Sequence, residues 1–458
     1  MKKGFTLIEM LGIIAVLAVV LLVTFPVMNK SLKKMKENTT NNFENNLKIS
    51  AETYIELNRD NYENIDVPGT EISFTIEDLY NAELLKGKYD NINLTDQILV
   101  TVENDKTLTY TFNGKQIGET KSYLCDNETT FCIASRSDLE KLATEVNNGD
   151  TKSGKTYILT TNIDLGGIFD ENGNPQTGNN PWTPIGSSTK AFSGTFDGAG
   201  HIITGMYIDV DATQVGLFST INGGTIKNLG IENSYVKSTQ QNTGSIAGYA
   251  TNNSNILNCY NKATISGKKT SGGIVGVLVN STIKNCYNTG NISSDNKQFA
   301  AGIVGYISNP NSVVENCYNT GTITTTRDSG GIAGGTQGKI VSCYNIGSII
   351  SSGNGGGGIA GSLYGGPKLN ENYNIGSSLG GIVGNINTAG SQTHELTNNY
   401  FLNTSATYGI RSTSSNDGAS PLSVSEMPTV LSVINGNNAF TTDSNGINNG
   451  YPILKWQQ

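Results

Sequence analysis

Residues 272–292 read GGIVGVLVNSTIKNCYNTGNI, and variants of this line return along the second half of the chain. The first half of the line appears as GSIAG at Gly244, GGIVG at Gly272, AGIVG at Ala301, GGIAG at Gly330 and Gly357, and GGIVG at Gly380. Their isoleucines, Ile246, Ile274, Ile303, Ile332, Ile359 and Ile382, are separated by 28, 29, 29, 27 and 23 residues. The second half appears as NCYN at Asn258, Asn285 and Asn316, SCYN at Ser342, ENYN at Glu371 and NNYF at Asn398. A nearly fixed period of this length marks stacked supersecondary units. The apolar runs are too short and too β-branched for helices, and glycine-rich turns punctuate every unit. Each repeat is therefore one coil of a parallel β-solenoid, with coils about 4.8 Å apart. Small and branched aliphatic residues recur because each coil offers the same interior slot.

These units resemble the GLUG-type repeats of bacterial surface proteins and of some immunoglobulin A proteases. The likeness widens at both ends. TYILTTNIDLGG and WTPIGSSTKAFSGTFDGAGHIITGMYI are similar to the opening coils of such domains, and VGLFSTINGGTIKNLGIENSYV to their first full unit. SVSEMPTVLSVINGNNAF and NNGYPILKWQQ are similar to their closing helix and tail, so the resemblance runs from Ser135 to the end. A solenoid needs both ends covered, since open terminal edges would pair with other chains. Ahead of the first coil, Leu139, Leu142, Ala143 and Val146 fall at helical spacing, with Ser137 and Glu140 expected as a capping box and Gly149 as the stop, which gives a helical lid.

Cys259, Cys286, Cys317 and Cys343 occupy one position in four successive coils, where other coils place Leu229, Asn372 and Asn399. A buried thiol ladder is the favoured expectation, ahead of disulfides between adjacent coils. Zinc is disfavoured, because one ligand per coil in a straight ladder makes no tetrahedron. Tyr260, Tyr287, Tyr318, Tyr344, Tyr373 and Tyr400 follow that position directly. They form a six-rung aromatic stripe, either a packing ladder at a solenoid corner or an outward platform for sugar or protein surfaces.

Catalytic residues are not in evidence at this level. The two histidines, His201 and His394, stand far apart, and HELTNN lacks the second histidine of a zinc protease helix, so the protease chemistry does not carry over with the repeats. Asp197 in TFDGAG is a turn former, no carboxylate pair recurs on a common face, and FDENGNPQTGNNP lacks the rest of a calcium loop. The expectation is a protein that is not an enzyme, with no cofactor and no bound metal.

At the other end, MKKGFTLIEMLGIIAVLAVVLLVTFPVMNK carries a 24-residue apolar run from Phe5 to Met28, which as a helix spans roughly 36 Å. Glu9 lies inside it, and a carboxylate in lipid costs on the order of 2.5–3.5 kcal/mol at a helix centre, so it needs a partner or a task. The stretch KKGFTLIEML resembles the class III signal of type IV pilins and pseudopilins. That resemblance implies cleavage by a prepilin peptidase between Gly4 and Phe5, N-methylation of Phe5, and a pairing of Glu9 with the free amine of a neighbouring pilin subunit in the filament. Pro26 stands where many pilins kink. Lys30, Lys33, Lys34 and Lys36 follow the span, so the positive-inside count alone does not orient it.

Between these parts, Leu47, Tyr54 and Leu57 continue a helical face; SFTIEDLYNAELLKG is expected as a short helix ending at Gly87, and QILVTVENDKTLTYTFNG alternates at period two. Cys125 and Cys132, in a segment expected outside the cell, are expected to form a local disulfide. A net charge of -8, with a sequence pI near 5.0, argues against nucleic acid as a partner.

The fold expected is mainly β: a long N-terminal transmembrane or pilin helix with a small α+β head, followed by a parallel β-solenoid of about 27–29-residue repeats with capping helices. The parts are a leader (1–4), the membrane and filament helix (5–60), the head (61–122), a disulfide linker and cap helix (123–154), the solenoid (155–415) and a C-terminal cap (416–458). The function expected is that of a minor or tip pilin that presents a solenoid for adhesion to glycans or host-surface proteins. It would sit in the cytoplasmic membrane before assembly and on the cell surface or pilus after it. The alternatives are a pseudopilin of a secretion or DNA-uptake machine and, behind it, an enzyme acting on surface glycans.

Overall fold

The computed structural model describes residues 47–458 apart from short segments, chief among them 63–66, 86–91, 103–107, 118–128, 295–297 and 388–392. Gly4, Phe5, Glu9, Pro26 and Cys125 lie outside the described residues, and so does the apolar run that contains Phe5, Glu9 and Pro26. Among the described residues no helix is long and apolar enough to cross a membrane. The chain divides at Ser122 and Tyr123 into two compact units.

The first unit holds helical residues between 47 and 55 and a four-stranded antiparallel sheet in which Glu71–Thr75 pairs with Gln97–Val102, Gln97–Val102 with Leu108–Phe112, and Leu108–Phe112 with Lys115–Gln116. The helix expected from SFTIEDLYNAELLKG is shorter than its pattern. Ser73, Phe74 and Thr75 belong to a strand, and the helix is Ile76–Asn81. Thr75 ends the strand and caps the helix: its Oγ1 accepts from the Asp78 N–H, while the Asp78 carboxylate accepts from the Thr75 N–H at 2.7 Å. Leu47, Ala51 and Ile55 pack with Phe74, Leu79, Ile98 and Tyr110 in one buried cluster.

The second unit is a parallel β-solenoid. Each coil contributes up to five short strands, as in Asn255–Leu257, Tyr260–Asn261, Thr264–Gly267, Thr270–Gly272 and Val275–Leu278, and each strand pairs in parallel with its equivalent in the next coil. The resulting five rows are 10, 10, 6, 6 and 7 strands deep. The first row opens at Thr130–Ile133 and the second closes at Ala419–Leu422, so pairing begins upstream of the expected 155 boundary and ends just past 415. All six repeat isoleucines are fully buried in the same core.

The two sequence landmarks prove to be two sides of one contact. The second glycine of GGIVG or GGIAG lies against the last asparagine of NCYN in the following coil: a Cβ on Gly302 would stand 2.3 Å from Asn319 Oδ1, and one on Gly358 2.2 Å from Asn374 Cγ. No larger residue fits beside those asparagines, although the first unit carries Ser245 at the same position. The residue before the cysteine takes a left-handed bend, with φ of 54° at Asn258, 55° at Asn285, 54° at Asn316, 52° at Ser342 and 58° at Glu371. Asparagine tolerates that conformation better than other side chains do, which explains its recurrence. The bend also breaks the alternation of facing just before the cysteine.

Both ends are covered. At the start, Arg136–Asn147 forms a helix whose Leu139, Leu142, Ala143 and Val146 join the solenoid core. Its N-cap is Ser135 with Asp138, not the expected Ser137 with Glu140: the Asp138 carboxylate accepts from Ser135 Oγ at 2.8 Å and from the Ala134 N–H at 3.0 Å. Glu140, one turn on, pairs instead with Arg136 Nε at 2.7 Å. After Leu422 the tail forms helical turns at Met427–Val430 and Leu431–Ile434 and a two-stranded hairpin, Phe440–Thr441 with Ile453–Leu454, and packs back along the side of the solenoid.

Candidate ligand groove beside the tyrosine ladder

Three columns of side chains descend the solenoid from the NCYN line. The first is the cysteine slot. Cys259, Cys286, Cys317 and Cys343 are free and fully buried. The N–H of Cys259, Cys286 and Cys317 each donates to the sulfur of the next coil, at 3.3, 3.4 and 3.4 Å, and that of Cys343 donates to Asn372 Oδ1 at 2.9 Å. In the later coils asparagine takes over the acceptor part, Asn372 for Cys343 and Asn399 for Asn372, whereas the early coil fills the same slot with buried Leu229. Burial pushes the thiols of Cys259, Cys286 and Cys317 well above the usual range. Cys132, upstream, is disulfide-bonded.

The second column is the last asparagine of the line, which the sequence reading passed over. Asn261, Asn288, Asn319, Asn345 and Asn374 are fully buried. Each of the first four donates its Nδ2 to the Oδ1 of the next, at 2.7, 2.7, 2.8 and 2.8 Å. Each of the five also donates to a main-chain carbonyl two residues on, for example Asn319 to Gly321 at 2.9 Å. These amides satisfy main-chain groups at a corner where no strand partner can.

The third column is the tyrosine stripe. Tyr260, Tyr287, Tyr318, Tyr344 and Tyr373 stack nearly face to face at 4.7, 4.9, 5.0 and 5.0 Å between centroids. Of the two readings of this stripe, the packing ladder fits the geometry, because the chain's own tail lies on it. Tyr344 and Tyr373 are buried with Met427, Val430, Ile434, Phe440 and Leu454, and Tyr318 and Tyr400 pack against that cluster. Trp456 stacks over Tyr287 and Tyr318 at 6.2 and 5.7 Å, and its indole N–H donates to the Asn316 carbonyl at 3.0 Å. Tyr344 exchanges hydrogen bonds with the Gln457 side-chain amide, and Tyr373 donates to the Pro452 carbonyl while accepting from Asn448 Nδ2 at 2.7 Å. Half-buried Tyr260 lies at the end of this stack and donates to Glu232 at 2.5 Å.

Where the tail meets the first row of strands it leaves a groove of about 680 Å³. One wall comes from the outward side chains of successive rungs, Lys284, Glu315, Lys339, Lys368 and Glu395, with the amides of Asn285, Asn316 and Asn370. Asn437, Asn438, Lys455 and Trp456 form the other. Glu371, in the left-handed column, is 3% exposed and holds this wall in place by accepting from the Asn437 N–H at 3.0 Å. Two of the lysines are neutralised, Lys284 by Glu315 at 2.5 Å and Lys368 by Glu395 at 2.6 Å. No equivalent groove is legible in the repeat pattern, since its second wall comes from the tail that follows the repeats. The other residues considered from sequence stay outside it: Asp197 pairs with Lys227 at 2.9 Å, and His201 faces Asn162 Oδ1 at 3.3 Å. Among the described residues no group of three or more His, Cys, Asp or Glu side chains is gathered as a metal would require.

Two adjacent coils match the GLUG motif, at residues 239–266 and 269–293. Halomucin from Haloquadratum walsbyi is 30% identical over 151 residues, which is 32% of this chain and 2% of halomucin's length. Among solved structures, a candidate immunoglobulin A1 protease from Bacteroides ovatus aligns at 20% identity with a TM-score of 0.45, over 75% of this chain and 96% of its own. A second, an IgA1 protease, aligns at 15% identity with a TM-score of 0.38, over 69% of this chain and 27% of its own. The expectation that this chain is no enzyme is withdrawn, since both neighbours are described as immunoglobulin A1 proteases. At these identities the likeness concerns the coil architecture and transfers no proteolytic role to any residue here.

Proposed function

We propose that this chain is a surface-displayed β-solenoid that works by adhesion, carried by a type IV pilin-like N-terminus as a minor or tip subunit. The observation that carries the adhesive part is the groove: charged and amide side chains on consecutive rungs, closed on one side by a tail that carries Trp456. Such a surface suits an extended polymer, because each coil presents the same kind of contact one rung further on. The GLUG coils and the local likeness to halomucin support a surface setting. KKGFTLIEML supports the pilin-like anchor, with Gly4 and Phe5 as the cleavage site and Glu9 as the assembly contact. A solenoid of this bulk on every subunit of a dense fibre would be crowded, which favours a minor or tip position.

The test uses cells that produce the full chain. Mass spectrometry of the processed protein is expected to give an N-terminal methylated Phe5, and Glu9→Ala is expected to leave the protein folded in the membrane while lowering its recovery in sheared filaments. Cells lacking the chain should adhere less to glycan- or matrix-coated surfaces. Equal adherence would end the adhesive reading, and a different mature N-terminus would end the pilin-like one.

A further inference from the structure

The groove carries an imbalance of charge that the protein does not correct. It is lined by four lysines, Lys284, Lys339, Lys368 and Lys455, against two glutamates, Glu315 and Glu395, on a chain whose net charge is -8. Both glutamates are committed to Lys284 and Lys368. Lys339 therefore stands in the first row between Val313 on one rung and Lys368 on the next, with no carboxylate paired to it among the described residues. Like charges facing each other on neighbouring strands destabilise a sheet, so the pairing of Lys339 with Lys368 is not explained by stability. Across the groove the Lys455 ammonium donates to a neutral partner, Asn438 Oδ1, at 2.5 Å and forms no ion pair among the described residues.

We propose that this groove binds an acidic saccharide, with its carboxylate or sulfate groups held by Lys339 and Lys455 and its ring and hydroxyls set against Trp456 and the asparagine amides. The proposal rests on the adhesive reading above and names its ligand class. The volume of about 680 Å³ falls in the roughly 300–1,000 Å³ range of small-ligand clefts, which accommodates a short oligosaccharide segment. Asn285, Asn316, Asn370 and Asn437 supply both donors and acceptors, as sugar hydroxyls need, and Trp456 supplies an aromatic surface held in place by Tyr287 and Tyr318. A positive groove on an acidic protein also selects among polymers, since the field elsewhere repels polyanions and the groove alone attracts them.

The test is a binding titration of the purified full chain in detergent against heparin, polygalacturonate and neutral dextran at low and physiological salt. Tryptophan emission gives a site-specific readout: Trp182 is 3% exposed in the core, so a change on adding polysaccharide comes from half-buried Trp456. Binding is expected for one or both polyanions and not for dextran, and which polyanion binds tells sulfate from carboxylate recognition. Lys339→Gln and Lys455→Gln should each weaken it about tenfold, the size of one lost charge-assisted contact. Lys268→Gln, which removes the same charge from an exposed site outside the groove, should change nothing. Unchanged melting temperatures show that the variants are folded. Failure of both polyanions to bind, equal binding of dextran, or full affinity in Lys339→Gln overturns the proposal. If the doubly substituted chain still adheres to matrix-coated surfaces, adhesion survives and only this site is lost; if the unaltered chain adheres to nothing, the adhesive reading itself falls.

Discussion

Replacing Asn319 by alanine removes one link from the interior amide ladder, and its cost can be worked from the contacts. The side chain makes three hydrogen bonds: it accepts from Asn288 Nδ2 at 2.7 Å and donates to Asn345 Oδ1 at 2.8 Å and to the Gly321 carbonyl at 2.9 Å. Asn319 is fully buried, so truncation strands an N–H of Asn288, the Oδ1 of Asn345 and a main-chain carbonyl away from solvent. Stranding a buried polar group costs about 1–3 kcal/mol, so three at the lower bound give a loss of about 3 kcal/mol. The neighbouring Gly302 has no side chain with which to refill the space. Since a solenoid unfolds by coils, the assay is hydrogen exchange followed by mass spectrometry, with the strands at Tyr318–Asn319 and Tyr344–Asn345 as the reporters. Protection there should fall by about a hundredfold, while the strands near Tyr207 should keep theirs. A loss below about 1 kcal/mol would refute the reasoning, because it would mean that the amides are satisfied by something other than one another.

The remaining expectations concern the thiols, one buried acid and the tail. Ellman's reagent at pH 8 should find none of Cys259, Cys286, Cys317 and Cys343 in the native protein and all four in guanidinium, because burial denies all four access and also opposes ionisation of the first three; rapid native labelling would contradict the ladder. Asp328 is 3% exposed, and burial holds its carboxyl above the usual range despite the Ser362 hydroxyl that donates to it at 2.8 Å. The folded form thus keeps its proton to higher pH than the unfolded one, so stability declines as pH rises from the unfolded value of about 3.9 through the raised folded one. Asp328→Asn should raise the melting temperature at pH 7 and give no gain below pH 4; a gain independent of pH would point to packing instead. Trp456→Ala removes the stacking on Tyr287 and Tyr318 and the bond to the Asn316 carbonyl, and should cost about 2 kcal/mol in denaturant unfolding and open the last residues to protease. An unchanged cleavage rate would show that the tail is held by its earlier contacts alone.

The coil was legible because its period is carried by residues that only one geometry accepts. The glycine before five of the six core isoleucines and the asparagine after five of the six tyrosines were both visible as repeats, although their mutual contact was not. Pattern shows that a position is constrained and not by what. The asparagine before three of the four ladder cysteines could have been read as a left-handed bend, since it recurs where alternation fails. The strand in SFTIEDLYN was missed because Thr75 serves as strand end and helix cap at once, and an i, i+3, i+4 pattern extends across it. The groove was beyond sequence reading altogether. It depends on a tail with no period of its own, and on Trp456 reaching a carbonyl 140 residues upstream.

That tail has a consequence for how the molecule can change over generations. Repeat proteins gain and lose units readily when each unit touches only its neighbours. Here the closing segment runs backwards, meeting Tyr373 through Phe440, Tyr344 through Gln457, and Tyr318 and Tyr287 through Trp456. It acts as a ruler with marks at fixed coils. Adding or removing a unit between Tyr287 and Tyr373 would shift those marks by one rung and unseat the tail, whereas the same event upstream of Tyr260 would leave it undisturbed. Length variation among descendants of this gene should therefore concentrate in the early coils, with the later ones held to a constant number.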